Sequence, residues 1–399
     1  MRRDGIVGLF AAKCPEKAGG KKGKSATFSP IGGPDQMWQA ARVDTAPDLR
    51  FAIALFGAAA GSGDSNYVCS PWSVACGLAA LAPGTTADAR DEIAAAVGPP
   101  DWLRREAALV ADSGGGGDAV LQVANRLWVD EGRTPNPSFL AELGPWPGAG
   151  VRTAPIRRDP EGARALVNAD VAATTRGLIP EIIGQGTLRG MTAVLVNALY
   201  LLAGWLQPFR QEDTAEEAFR APGGTRNVAT MRASHETGYT GGASWQYVSL
   251  PLALGMQAEV VLPPDEPAEP LAAGRLTALR EAAAPCRVDL HLPRARLEAG
   301  TRLAGPLASL GVCRIFDMAA PAVTGVADQP LFVSDAVHRA VLRVDESGIE
   351  GAAATAMVMR AVAFRSLPEV EMVVDRPFYL LVGHRATGAV LFLARIANP

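Results

Sequence analysis

Beyond Lys24 the sequence has no lysine. Lys13, Lys17, Lys21, Lys22 and Lys24 crowd the start, and every later cation except histidine is arginine. The first stretch is thus compositionally foreign to the rest. Genomic base composition explains the arginine usage as well as function does, so no polyanion site is read from it. The net charge of −3 lacks the basic excess that nucleic-acid recognition needs. Cysteine is scarce and odd in number: Cys14, Cys69, Cys76, Cys286 and Cys313 have neither metal-ligand spacing nor a disulfide framework. Cys69 and Cys76 lie in one Ala-rich apolar stretch and are expected as two inert core residues on one helix face. The four histidines, His235, His291, His338 and His384, are widely spaced, and GxSxG, HExxH and paired CxxC patterns are missing. No catalytic triad, metal site or cofactor is therefore expected, and the chain does not read as an enzyme. No uninterrupted apolar run approaches the roughly 18–20 residues of a membrane span.

What is present is the composition of a globular protein with a sizeable core, 48% hydrophobic and 20% charged over 399 residues. That length fits two average domains or one large mixed fold. Residues 1–45 mix Gly, Lys, Pro and Ser without periodicity, as a disordered basic leader does. Within it, Met1-Arg2-Arg3 followed by Ile6 to Ala12 faintly resembles a signal peptide, but the apolar run is short and Lys13 spoils the cleavage region. No compartment, extracellular or cytoplasmic, is read from it. Ala18 to Ser25 matches a relaxed phosphate-loop pattern, yet the Phe28 to Pro34 segment that follows cannot begin the long helix such a loop requires. A flexible basic tail is the reading.

Apolar residues recur at helical spacing over Leu49–Phe56 and Ser73–Leu81, and Ala87–Val97 reads as a third helix behind Thr85 and Thr86. Strands are expected at Ala124–Val129, Ala193–Leu202, Gln257–Leu262 and Val288–Leu292. The second and third are nearly continuous in apolar character, as in strands buried on both faces. Val370–Val374, Phe378–Val382 and Ala389–Ile396 add three more, the last two forming a hairpin around Arg385–Gly388.

The most unusual segment runs from Val341 to Pro368. A strand-like start passes into tiny residues and then into a mixed apolar and basic tip. Gly348 and Gly351 disfavour a helix there. In an extended chain Ile349, Gly351, Ala353, Thr355 and Met357 share one side, and Glu350, Ala352, Ala354 and Ala356 share the other. The first set is uncharged and can be buried in a sheet.

Val344-Asp-Glu-Ser-Gly-Ile-Glu-Gly-Ala-Ala-Ala-Thr-Ala356 resembles the hinge of inhibitory serpins, where acidic residues and glycine precede small residues ending in threonine. Asn66 to Ser73, Val196 to Tyr200 through Gly204-Trp205 to Pro208-Phe209, Val333 to His338, Asp375 to Phe378 and Gly388 to Pro399 look like further signatures of that family, in the family's order. The resemblance covers roughly residues 47–399. It implies an α+β serpin fold of three β-sheets and eight or nine helices, a single domain over 46–399, and an exposed reactive loop within 346–376.

The resemblance also implies the activity, irreversible suicide-substrate inhibition of serine or cysteine proteases. The loop is cleaved, and its hinge then inserts into the large sheet as a new strand. The hinge falls on Glu346, Gly348, Ile349, Glu350, Gly351, Ala352, Ala353, Ala354 and Thr355. Ser70, Ser73, Asn197 and His338 match the polar cluster under the sheet centre, with His338 a structural hydrogen-bonder; Trp205 and Glu346 match the end where insertion begins. The family register puts the scissile bond between Val362 and Ala363, which suits elastase-like or subtilisin-like enzymes, with Arg360, Phe364 and Arg365 as alternatives. The partner is then a protease, with no nucleic acid, no membrane and a monomeric inhibitor. Ile349 departs from the usual Thr or Ser and is expected to slow the first step of insertion; Gly351 replaces the commoner Ala, and Leu201-Leu202-Ala203 replaces aromatic-Lys-Gly. Two other readings stay open: a non-inhibitory serpin with a binding or chaperone-like role, favoured by Ile349, and a hydrolase using His338.

Overall fold

A computed structural model describes residues 47–61, 63–112, 120–242, 244–265, 270–349 and 367–399. The leader, its phosphate-loop-like stretch and Cys14 lie outside these residues, as does the segment from Glu350 to Ser366. Among the described residues there are eight α-helices: α1 Pro47–Ala59, α2 Pro71–Leu81, α3 Ala87–Val97, α4 Pro100–Asp112, α5 Pro137–Leu143, α6 Pro160–Thr174, α7 Ala273–Ala282 and α8 Ala304–Ser309. The strands are β1 Tyr67–Cys69, β2 Val120–Asp130, β3 Ala149–Ala154, β4 Ala193–Gly204, β5 Ala215–Ala221, β6 Gly224–Thr240, β7 Gln246–Pro251 and β8 Met256–Leu262. After them come β9 Ala284–Pro293, β10 Ala295–Arg302, β11 Asp335–Asp345, β12 Gly348–Ile349, β13 Glu369–Val373, β14 Phe378–His384 and β15 Val390–Ile396. None of the described helices is long and apolar enough to cross a membrane.

The helices and strands read from the sequence are all present; most run a few residues further at one or both ends, Ala87–Val97 matches to the residue, Val370–Val374 is shifted by one to Glu369–Val373, and the last strand begins at Val390 rather than Ala389. The Phe378 and Val390 segments form the expected antiparallel hairpin, Phe378 opposite Ile396. The strands hydrogen-bond into two sheets rather than three separate ones. One has six strands in the order β10-β11-β12-β4-β2-β3; the other has nine, because the 17-residue β6 runs on from its pairing with β5 into pairing with β9 and β7.

Cys69 and Cys76 do not share a helix. Cys69 ends β1, and Ser70 then stops the strand by capping α2, its Oγ accepting from the Ser73 N–H while Pro71 takes the first helical position, where a missing N–H costs nothing. Both thiols are buried and unbridged, and burial pushes their pKa values up, so the inertness expected of them has a physical cause.

Every residue of α2 is buried, as befits a helix apolar all round. It packs on β2 and β4 of the six-stranded sheet and on β15 of the other, so it forms the middle of the core. β4 is buried almost throughout, which explains an apolar run interrupted only by Asn197 and the Tyr200 hydroxyl.

Candidate functional site

The sequence of β4 places it at the centre of the six-stranded sheet, antiparallel to β2 on one side and parallel to β11 on the other. The parallel ladder joins Val194–Leu199 to Asp335–Ala340 and stops there. Beyond it a third strand enters the gap. β12 pairs antiparallel with both neighbours, Ile349 lying between Ala203 and Val344, and Gly348 between Gly204 and Asp345. Gly348 and Ile349, the first residues of the expected hinge, are thus strand residues lying between β4 and β11.

Ile349 is 1% exposed and joins the main core. Burying a side chain of that size stabilises the docked pair by about 2 kcal/mol, so the bulk read from sequence as an obstacle here acts as an anchor. Gly348 has a φ of 148°, and a Cβ on it would stand 2.4 Å from the Ala203 carbonyl oxygen. Only glycine fits where the chain doubles back into the sheet.

The same end of the seam is tied by Trp205 and Glu346. The Trp205 indole N–H donates to the Asp345 carbonyl at 2.8 Å, its backbone N–H to Ser347 at 3.1 Å, and the Phe209 N–H to the Glu346 carbonyl at 3.1 Å. The Glu346 carboxylate is 4% exposed and accepts from Arg294 Nε at 2.8 Å, Arg294 Nη2 at 2.5 Å and the Thr214 hydroxyl. Burial alone would raise its pKa, but these bonds outweigh it and hold the group below the usual carboxylate range. Arg294 and Thr214 escaped the sequence reading, because each lies far along the chain from the hinge.

Lower in the seam the structure brings together Ser70, Ser73, Asn197 and His338. His338 Nε2 accepts the Ser70 backbone N–H at 2.9 Å, so Nδ1 carries the proton and donates to Asn197 Oδ1 at 2.6 Å. The Ser73 hydroxyl donates to the same oxygen at 2.8 Å, and the Asn197 amide donates to Asn125 Oδ1. Asn125 is a fifth member that sequence reasoning missed; a lone amide inside the apolar strand expected at Ala124–Val129 was the available signal. Gly77 lets α2 approach it, since a Cβ there would sit 3.1 Å from Asn125 Oδ1.

His338 is fully buried, and burial pushes its pKa down to about 4, so the imidazole is neutral at pH 7. Both ring nitrogens are engaged and no solvent reaches them, which leaves no lone pair to act as a base. Above the cluster, the buried His235 ring meets Phe209 edge-on at 4.9 Å, and its pKa too is pushed down to about 4 by burial. Glu350, Gly351, Ala352, Ala353, Ala354 and Thr355 lie outside the described residues, as do Arg360, Val362, Ala363, Phe364 and Arg365. The chain resumes at Leu367 and enters β13, which pairs parallel with β9.

This architecture has relatives. Residues 48–399 match the family model described as Serpin (serine protease inhibitor). The pig (Sus scrofa) leukocyte elastase inhibitor is 32% identical over 379 residues, 89% of this chain and 99% of that protein. Among solved structures, a thyroxine-binding globulin in complex with thyroxine superposes with a TM-score of 0.77 at 22% identity, over 89% of this chain and 99% of that one. The native thermophilic serpin tengpin gives a TM-score of 0.77 at 20% identity, over 89% and 94%. With its family model matched from residue 48 to the last residue, the chain belongs to the serpin family.

Proposed function

We propose that this serpin is an irreversible suicide-substrate inhibitor of serine proteases, working through the seam between β4 and β11 and not itself an enzyme. The observation that carries the reading is β12, two residues of the expected hinge paired to both sides of that seam, with the uncharged set Gly351, Ala353, Thr355 and Met357 following Ile349 at matching parity in the sequence. In this reading the protease serine attacks the carbonyl of Val362, the Val362–Ala363 bond breaks, and the new amino terminus leaves with Ala363. The acyl-enzyme then races between hydrolysis and insertion of the cut segment behind Ile349. Each inserted residue exchanges solvated backbone for a strand paired on two sides, and a protease dragged from its docking geometry loses the alignment deacylation needs.

Val362 fits a small apolar specificity pocket, and the pig relative is named as an inhibitor of leukocyte elastase. An elastase-like or subtilisin-like target is therefore favoured, with cysteine proteases as a second class. We take residues 46–399 as one working domain, monomeric, with 1–45 outside it.

Ile349 in place of the usual Thr or Ser favours a second reading, a serpin that keeps the fold and binds without trapping. Incubation with a panel of serine and cysteine proteases, followed by denaturing gel electrophoresis, separates the two. A covalent complex of summed mass supports inhibition. Cleavage without complex at every protease supports the second reading.

A further inference from the structure

His291 sits in β9 with its side chain 13% exposed, and its ring is held on one side only. Nδ1 lies 3.0 Å from Glu217 Oε2, and Glu217 is in turn paired with Arg232. Nε2 faces the other way, toward Glu371 Oε1 at 3.8 Å, too far for a hydrogen bond. Asp289 stands two residues before His291 on the same face, and the parallel register sets Glu371 directly opposite Asp289. One ligand-competent atom of each of Asp289, His291 and Glu371 lies within 4.8 Å of the others.

Like charges directly opposite each other in a sheet are unfavourable, and the neighbouring acids on these strands are neutralised. Arg287 pairs with Glu236 and Glu369, and Arg232 with Glu217. Asp289 and Glu371 receive no arginine among the described residues. They face instead the open nitrogen of a histidine whose other nitrogen is fixed by a carboxylate, the arrangement that orients metal-binding imidazoles.

We propose that Asp289, His291 and Glu371 bind a divalent transition cation of the Zn²⁺ class, with Glu217 as the positioning residue, and that the cation rivets β13 to β9. One nitrogen and two carboxylate oxygens suit Zn²⁺, whereas Ca²⁺ and Mg²⁺ favour oxygen alone. Two ligands on a tetrahedral ion at about 2.1 Å stand about 3.4 Å apart, close to the present 3.8 Å between His291 and Glu371. Rotation of the two exposed carboxylates supplies the rest.

The rivet matters because β13 is a five-residue edge strand with only Met372 fully buried, and the loop segment runs straight into it. With the loop uncut, full insertion of the segment that follows Ile349 would draw on β13, so the cation would slow full insertion without cleavage. That consequence rests on the inhibitor reading; the cation site does not.

The test is Zn²⁺ titration of the full chain by calorimetry, with hydrogen exchange at residues 369–373 and no protease present. About one Zn²⁺ per chain, a 10- to 100-fold weaker affinity in Glu217→Gln, a larger loss in His291→Ala, and slower exchange in β13 on Zn²⁺ addition are expected. No uptake by the wild-type chain, or equal uptake by wild type and His291→Ala, overturns the site. Asp289→Asn, which keeps the shape of the side chain, repeats the comparison should His291→Ala fail to fold.

Discussion

His338 and Asn197 are Cα partners across the seam between β11 and β4, and Nδ1 of one lies 2.6 Å from Oδ1 of the other. This bond joins the strands that insertion has to separate. The pairing of Ile349 with Val344 and Ala203 fixes where the following residues would go. Carried along the chain, that register brings Ala353 between Ala340 and Leu199, and Thr355 between His338 and Asn197. On insertion in that register, the Thr355 hydroxyl would stand where it could replace the bond that is broken.

The first expectation follows. Nicking near Val362 should raise the melting temperature by tens of degrees, since a strand paired on both sides is added to the sheet centre. Thr355→Val should leave the melting temperature of the intact protein alone and lower that of the nicked form, by about 1–3 kcal/mol of stability for the orphaned polar groups. Scanning calorimetry of both forms checks it; a nicked form no more stable than the intact one contradicts it.

A second expectation concerns acid. His338 and His235 are lowered from 6.5 to about 4 by burial. Between those values the unfolded chain binds more protons than the folded one, so stability rises with pH across the window. It is complete above 6.5 and lost as pH falls toward about 4, each imidazole removing about 2 kcal/mol at pH 5. Urea melts at pH 7.5 and pH 5 should show the loss, and His235→Phe, beside Phe209, should remove about half of it. Equal midpoints at the two pH values would rule this account out.

The third concerns the turn into the sheet. Gly348→Ala puts a methyl group against the Ala203 carbonyl and strains a φ of 148°. Ejection of β12 and exposure of Ile349 should lower stability by about 2–3 kcal/mol, and more of the inhibitor should be consumed per protease trapped. Unchanged denaturant midpoint and stoichiometry would show that the docked pair does not matter.

Cleavage itself gives a fourth. Mass spectrometry of the peptide released by an elastase-like protease should find a new amino terminus at Ala363. A terminus at Ser366 would instead make Arg365 the recognised residue.

Much of this was legible in the chain because it depends on local pattern. The periodicity over Ala87–Val97 gave the bounds of α3 to the residue, and the nearly continuous apolar run at Ala193 marked the central strand. The expectation of one helix for both cysteines failed because Ser70-Pro71 is a capping signal, and it cuts the apolar stretch in two. Ser70, Ser73, Asn197 and His338 were found by family resemblance, not by spacing. Asn125 joins that cluster, and Arg294 and Thr214 join Glu346, only through long-range pairing, which neighbouring residues do not encode. The docking of Gly348 and Ile349 was hidden for the same reason: it is set by the gap between two strands far apart in sequence.

Ala352 and Ala353 are adjacent and chemically identical, and if insertion continues the register of the buried Ile349, Ala353 would face inward and Ala352 outward. Ala353→Arg would force a guanidinium into the core face at a cost of several kcal/mol, about tenfold in insertion rate for each 1.4 kcal/mol that reaches the barrier. The most direct test is the fraction of protease held as covalent complex on a denaturing gel by the two variants. Ala353→Arg should be cleaved at a normal rate and released as spent substrate, while Ala352→Arg still traps most of the protease. Equal trapping by both would contradict insertion through the seam between β4 and β11.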